Sequence, residues 1–329
     1  MASQPETVPA NVTATIYPSI IEFLSIATEP LYQREWPNSI PLGIYPSYLS
    51  ASTAPPRQYP LKPGESPETF ILISSNEGLD HHICLVATKT PSYGALSVYS
   101  AVPPEFLDIS AHITVLVDAL FSERDVENIP RAYNGDSRLS LPMANSVAAR
   151  LGLKVKIEER YTAAVLTAET ISPDIPRQPL PVDHDIRRML PGEQTGRLIE
   201  MYRGMFQETR GIIVSEEAAK GVVEKAVGRG EVWGYFVAGE VVSSALLGRA
   251  TRTGKSVTNV FCRQEFRRRR LTQALMDEIG RRLVLDEGLG YLGIFFLEGG
   301  TASRIYRRTG FCGEEWGIMD FVLAVDLEG

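Results

Sequence analysis

Four consecutive arginines, Arg267–Arg270, stand where the apolar pattern of this chain abruptly changes period. Before them, Val257, Val260 and Phe261 fit an extended segment. After them, Leu271, Leu275, Ile279 and Leu283 recur every four residues, as on one face of a helix. A strand that turns directly into a helix presents unpaired backbone N–H groups and the positive end of a helix dipole. Guanidinium groups add charge-assisted hydrogen bonds, so the turn suits a pyrophosphate. The plainer reading is a solvated basic run, and the position at the turn is what favours an anion site over it.

The elements around the turn can be read from periodicity and turn residues. Asp185–Leu190 predicts a short strand, and Gly192–Phe206 a helix through Leu198, Met201, Tyr202 and Met205. Ser215 is placed to cap a helix over Glu216–Val227, with acids in its first turn. Val232–Val237 and Val241–Arg249 form a hairpin about Ala238-Gly239-Glu240, and Ser256–Cys262 is the next strand. The arginine turn and a helix to about Leu285 follow. Then come a strand at Tyr291–Leu297, a short helix at Thr301–Thr309 ended by Gly310, and a strand at Ile318–Val325.

Ser172–Pro181 carries four prolines in ten residues and predicts an extended linker. It sets an expected organisation of a disordered tail at 1–15, an N-terminal α/β domain at 16–171, the linker at 172–181 and a C-terminal domain at 182–329. In the first domain, Ile20–Ile26 begins a helix, and Phe70–Ser74, Ile83–Thr88 and Leu96–Tyr99 are short strands in series. Ile109–Phe121 is an apolar helix, and a second proline-rich stretch, Pro37–Pro67, reads as long loops.

The strand, the arginine turn, its helix and the later Ala302, Tyr306, Gly310, Phe311 pattern resemble the two signature blocks of the GNAT N-acetyltransferase superfamily. In that family the turn reads R-G-x-G-x-G/A and binds the pyrophosphate of acetyl-CoA. Here Arg268 and Arg270 replace two glycines, and Thr272 replaces the last Gly/Ala. The resemblance implies an α/β fold with a central, mostly antiparallel sheet flanked by helices and two splayed strands forming the acyl-CoA cleft. The N-terminal half reads either as a degenerate copy of the same plan or as an unrelated α+β domain. Asn145–Leu153 resembles the end of a second block, whereas Pro103-Pro104 stands where a phosphate turn would be, and proline has no N–H to offer. A degenerate front half before a signature-bearing back half resembles the layout of glycine N-acyltransferase-like proteins.

The resemblance also assigns residues. Arg267, Arg268, Arg269, Arg270, Leu271 and Thr272 would hold the pyrophosphate. Main-chain groups of Val260, Phe261 and Cys262 would meet the pantetheine arm, with Gly299 and Ala302 beside the cofactor. Gly299-Gly300 replaces a customary asparagine contact. Tyr306 would be the general acid that protonates the departing thiolate, or else a core tyrosine. Glu298, at the end of its strand, is the candidate base, or else a surface carboxylate. Cys262 reads as a small buried residue, with thiolate reactivity left open by the nearby arginines. Tyr202, Phe206, Trp233 and Tyr235 form either an aromatic acceptor wall or ordinary core.

The expected activity is therefore acetyl transfer from acetyl-CoA, as co-substrate, to the amine of a small molecule in a ternary complex. The alternatives are a protein or peptide amine as acceptor, or a non-catalytic module that binds CoA or a partner protein. Composition bounds the rest. A net charge of −7 with one local basic cluster argues against nucleic-acid binding. No apolar run reaches the ~20 residues of a membrane helix. The three cysteines lack metal spacing and fit a reducing, cytoplasmic setting, and none of the four histidines falls in the signature segment, so no metal is expected. Acceptor, acyl chain length and oligomeric state are left open.

Overall fold

The computed structural model describes residues 11–39, 42, 69–77, 80–90, 93–122, 124–171, 179–297, 299–313 and 318–326. Most of Pro37–Pro67, and 172–178 of the expected linker, lie outside these. In chain order the elements are β1 (Asn11–Ile16), α1 (Ile20–Tyr32), β2 (Thr69–Glu77), β3 (Asp80–Thr90), β4 (Tyr93–Ser100), α2 (Ile109–Ser122), β5 (Ala132–Asp136), α3 (Ser137–Leu151) and β6 (Lys154–Leu166). They continue with β7 (His184–Arg188), α4 (Thr195–Arg210), α5 (Glu216–Gly228), β8 (Val232–Val237), β9 (Glu240–Gly248) and β10 (Gly254–Cys262). The last are α6 (Leu271–Gly280), β11 (Tyr291–Leu297), α7 (Thr301–Arg308) and β12 (Ile318–Val325). The result is the mixed α/β architecture that the resemblance implied, with open sheets flanked by helices.

The chain divides into two compact units, 1–161 with 317–329, and 162–316. Residues 162–171 belong with the second unit, and the final strand belongs with the first. Residues 11–16 form β1, antiparallel to β2, with Val12 and Ala14 packed on the core. Its alternating, β-branched run, VTATI, has the strand signature.

In the first unit the strand order is β1-β2-β3-β4-β5-β12-β6. β4 and β5 run parallel over Leu96–Val98 and Tyr133–Gly135, with α2 as the crossover between them. β12 is antiparallel to β5. Its Val322 and Ala324 join the core that α2 and α3 cover. Asp320 has no exposed side-chain surface and is held by two hydrogen bonds from Arg160 on β6, at 2.7 and 3.0 Å. Two inward apolar residues and a matched buried charge give β12 its place in this unit.

The second unit has the order β6-β11-β10-β9-β8-β7, with the end of β6 as an outer strand. Ala164 and Leu166 enter the core beneath α6 and α7. The close fit explains two glycines. A Cβ at Gly280 would lie 2.3 Å from the Leu166 side chain. At Gly310, where φ is +96°, it would lie 2.6 Å from the Thr170 carbonyl oxygen. One face of this sheet packs on α6 and α7, and the other on α4 and α5. α6 continues into a π-turn over Arg281–Asp286.

Candidate functional site

β9 and β10 are antiparallel, with a bulge between Val257 and Asn259. β10 and β11 are parallel, and their register runs only from Gly254–Tyr291 to Val257–Ile294. β10 then continues to Cys262 and β11 to Leu297. The two strands therefore part at the bulge, which bends a strand and raises its twist. The hydrogen-bond phase shows what faces the opening. Arg263 N–H donates to the Val242 carbonyl at 3.0 Å, continuing the β9–β10 register. Alternate residues of an antiparallel strand point their main-chain groups to opposite sides. Phe261 thus pairs with β9, while the main chains of Val260 and Cys262 face the opening. The Cys262 carbonyl accepts from Arg267 Nε at 2.9 Å. Val260 N–H and C=O and Cys262 N–H are left directed at the gap.

The arginine turn follows β10 through a short 3-10 turn, Gln264–Phe266. Arg268 has φ +63° and Arg270 has φ +59°, both left-handed. These are the two positions where the family pattern carries glycine. The backbone shape of a glycine turn is kept with arginine in it, at about 1–2 kcal/mol for each residue. Arg270 is the N-cap of α6, and no side chain caps the helix. The first helical bond is Ala274 N–H to the Arg270 carbonyl, 3.0 Å. The N–H groups of Leu271, Thr272 and Gln273 precede it and remain open to an anion.

The four arginines are all exposed, but they do not do the same thing. Arg267 is a brace. Besides its bond to Cys262, it pairs with Glu208 of α4 at 2.6 Å and lies 5.3 Å from the Phe261 ring centroid. Arg269 lies 5.2 Å from the Phe266 ring centroid. Among the described residues, Arg268 and Arg270 form no ion pair. They are the side chains free to meet a phosphate.

Beneath the turn, Ser243 Oγ donates to the Phe261 carbonyl at 2.9 Å and meets Thr272 Oγ1 at 3.2 Å. This clasp ties β9, β10 and α6 together. Ser243 was not among the expected site residues. Its signal was two serines, Ser243 and Ser244, inside an otherwise apolar strand. Burial pushes the Cys262 thiol up, against smaller opposing effects from Thr272, Ser243 and Arg267. Burial thus favours the protonated form of this half-buried thiol.

Tyr306 is 7% exposed and sits on α7 between Phe296 and Phe311, with ring centroids 5.4 and 6.0 Å away. Burial raises its phenol well above the usual range. Its hydroxyl has no hydrogen-bond partner among the described residues. Phe296 lies on the part of β11 beyond the paired ladder, and both rings belong to the core beneath α6 and α7. Gly299 is exposed with φ +72°, and Ala302 is packed against the core. Glu298 lies outside the described residues.

The aromatic wall does not form as one surface. Trp233 and Tyr235 are 3% and 2% exposed and lie in the core beneath α6. Tyr202 packs on the opposite face with α4, 5.0 Å from Phe206. Strand alternation separates them, since residues two apart on β8 share a face that α4 does not cover. Phe261 does reach α4, where a Cβ at Gly204 would lie 3.2 Å from its ring.

The first unit repeats the meander, crossover helix and parallel pair, but its corresponding helix end is closed. Asp108 Oδ1 accepts from Ala111 N–H at 3.1 Å at the start of α2. A carboxylate there occupies one of the donors a phosphate would need and repels the anion. Arg34 donates to the Val102 carbonyl at 3.1 Å, at the end of β4.

Among the described residues, no cluster of three or more His, Cys, Asp or Glu could hold a metal, and no helix is long and apolar enough to cross a membrane. No family model and no curated protein matches the sequence. Solved structures do match the fold. A GCN5-related N-acetyltransferase from Sphaerobacter thermophilus is 16% identical, with 98% of this chain and 99% of that one covered, at a TM-score of 0.58. A Drosophila protein matches at 14% identity and TM-score 0.55, over 94% of this chain and 98% of its own. A GNAT-family acetyltransferase from Colwellia psychrerythraea matches at 12% and 0.52, over 95% and 98%.

Proposed function

We propose that this chain, which has the GNAT fold over both of its units, is an acyl-CoA-dependent N-acyltransferase that moves an acetyl group to the amine of a small molecule. The observation that carries the reading is the parting of β10 and β11 after Val257 and Ile294, next to an uncapped α6 N-terminus whose turn keeps two left-handed residues. Acetyl-CoA fits these groups. Its pyrophosphate matches the N–H groups of Leu271, Thr272 and Gln273 with the guanidinium groups of Arg268 and Arg270. Its pantetheine amides match the main-chain groups of Val260 and Cys262. Gly299 and Ala302 stand at the start of α7, beside the same opening.

Acetyl-CoA supplies a thioester, at whose carbonyl an amine forms the new C–N bond while the C–S bond breaks and the thiolate takes up a proton. The chain's part is to hold and to shift protons. Val260 N–H is a main-chain donor for the oxygen that gains charge. Tyr306, kept protonated by burial, gives a proton or a hydrogen bond to the leaving sulfur. Glu298, directly after β11, is assigned the proton that the amine must lose.

The second reading is a CoA-binding module without turnover. It is favoured by the bulk of Arg268 and Arg270 at glycine positions. Calorimetric titration of acetyl-CoA, followed by thiol release with a panel of amines, separates the two. Binding with release supports the transferase, binding without release the module, and no binding refutes both. Tyr306→Phe should lower kcat by about 100-fold and leave acetyl-CoA affinity within about twofold. Unchanged turnover across pH would remove the acid role.

A further inference from the structure

β7 is the last strand in the second unit, and among the described residues nothing pairs with its outer edge. Ala238 N–H donates to the Asp183 carbonyl at 2.8 Å, and Met189 N–H to the Val232 carbonyl at 2.9 Å. Both lie in the β7–β8 register, so Asp183, Asp185, Arg187 and Met189 direct their main-chain groups inward. His184, Ile186 and Arg188 direct theirs outward. His184 N–H is satisfied by the Pro181 carbonyl. Ile186 and Arg188 keep outward N–H groups, a ready template for another strand.

The side chains along this edge are self-complementary about Ile186. A two-fold axis there sets Asp185 against the partner's Arg187, and Arg187 against the partner's Asp185. It sets Val182 against the partner's Leu190 at each end. Val182 is fully exposed and Leu190 is 62% exposed, both unusual for apolar residues bordering a sheet. The same axis makes Ile186 a hydrogen-bonded pair with its own copy, which is the phase its outward N–H and C=O require. Val182, Asp183, Asp185 and Arg187 also line a shallow groove with Phe236, Ala238 and Gly239 of the neighbouring strand and its turn. Arg187 is held in place by stacking 4.0 Å over Phe236, by Glu193 at 2.7 Å and by Asp185 of its own chain at 2.8 Å.

We infer that β7 is an interaction surface for a second copy of this chain, paired antiparallel about Ile186. A five-residue edge buries less than a typical stable interface, so the dimer is concentration-dependent. Asp185 and Arg187 already pair within each chain, and in the dimer each also faces its opposite charge across the strands, while Val182 and Leu190 close the ends.

Sedimentation of the full chain over a range of concentrations tests this. The wild type should shift from monomer to dimer as concentration rises. Asp185→Arg sets two like-charged pairs against each other and should raise the dissociation constant about tenfold or more. Mixing it with Arg187→Asp should restore a heterodimer, because each charge then meets its opposite. As a readout that needs no variant, the Ile186 and Arg188 amides should exchange more slowly at high concentration than at low. A wild type that is monomeric throughout, or a dimer indifferent to Asp185→Arg with no concentration effect on those amides, overturns the inference.

Discussion

Replacing Arg270 by glycine and by alanine isolates the backbone at the arginine turn. Both variants lose the guanidinium group, so their difference reports φ alone. Arg270 sits at φ +59°, ψ +15° as the N-cap of α6, and its side chain is exposed. An L-residue in this region costs about 1–2 kcal/mol. Glycine escapes that cost but loses more freedom on folding, by about 0.5–1 kcal/mol. The net preference should favour glycine over alanine by about 0.5–1 kcal/mol, the reverse of the usual order in a helix. Arg268, at φ +63°, should behave in the same way. Chemical denaturation with matched m-values is the assay. If alanine equals or exceeds glycine at both positions, the left-handed turn is not the native conformation. The glycine variants also divide the two proposed sources of phosphate affinity. A weaker acetyl-CoA interaction with a flatter salt dependence would assign part of it to the guanidinium groups, and unchanged affinity would assign all of it to the helix N–H groups.

Burial raises the Asp277 carboxyl to about 6, with Arg281 opposing. The folded state therefore holds this proton more tightly than the unfolded chain. Its stabilising share is full below the unfolded value and is lost as pH rises toward 6. Asp277→Asn should gain about 1 kcal/mol above pH 6, after allowance for solvent screening, and nothing at pH 4; melting curves at the two pH values check it. Gly135 has φ +138°, and a Cβ there would lie 2.1 Å from the Val98 carbonyl oxygen. Gly135→Ala should destabilise the first unit by about 3 kcal/mol or more, read by denaturation, and a near-neutral change would contradict the close β4–β5 approach.

Much of the second unit was legible in the residue pattern. The Ser215 cap appears as predicted, with Ala218 N–H donating to its hydroxyl at 3.2 Å. The hairpin at Ala238-Gly239, the turn into α6, the β11 strand and α7 follow periodicities that local sequence carries by itself. Three things were not legible. Residues 11–15 read as part of a disordered tail, yet Val12 and Ala14 find apolar cover. The aromatic residues of β8 and α4 looked like neighbours, and the sheet separates them. Ser243 looked unremarkable until Thr272 came within 3.2 Å.

The sequence by itself determined the elements and the chemistry of the turn: a strand, four arginines and a helix with nothing to cap it. Those follow from side-chain period and residue type, which act over a few positions. Only the tertiary structure decided which strand lies beside which. IMDFVLAV specifies a strand with an inward face, but a strand's pattern does not name its neighbour. That choice was made by Asp320 meeting Arg160, and by Leu166 fitting where Gly280 and Gly310 leave room. The tertiary structure likewise divided the four arginines. Glu208, on a helix some sixty positions earlier, takes Arg267 as a brace, whereas Arg268 and Arg270 are left in strained backbone with their charges unspent.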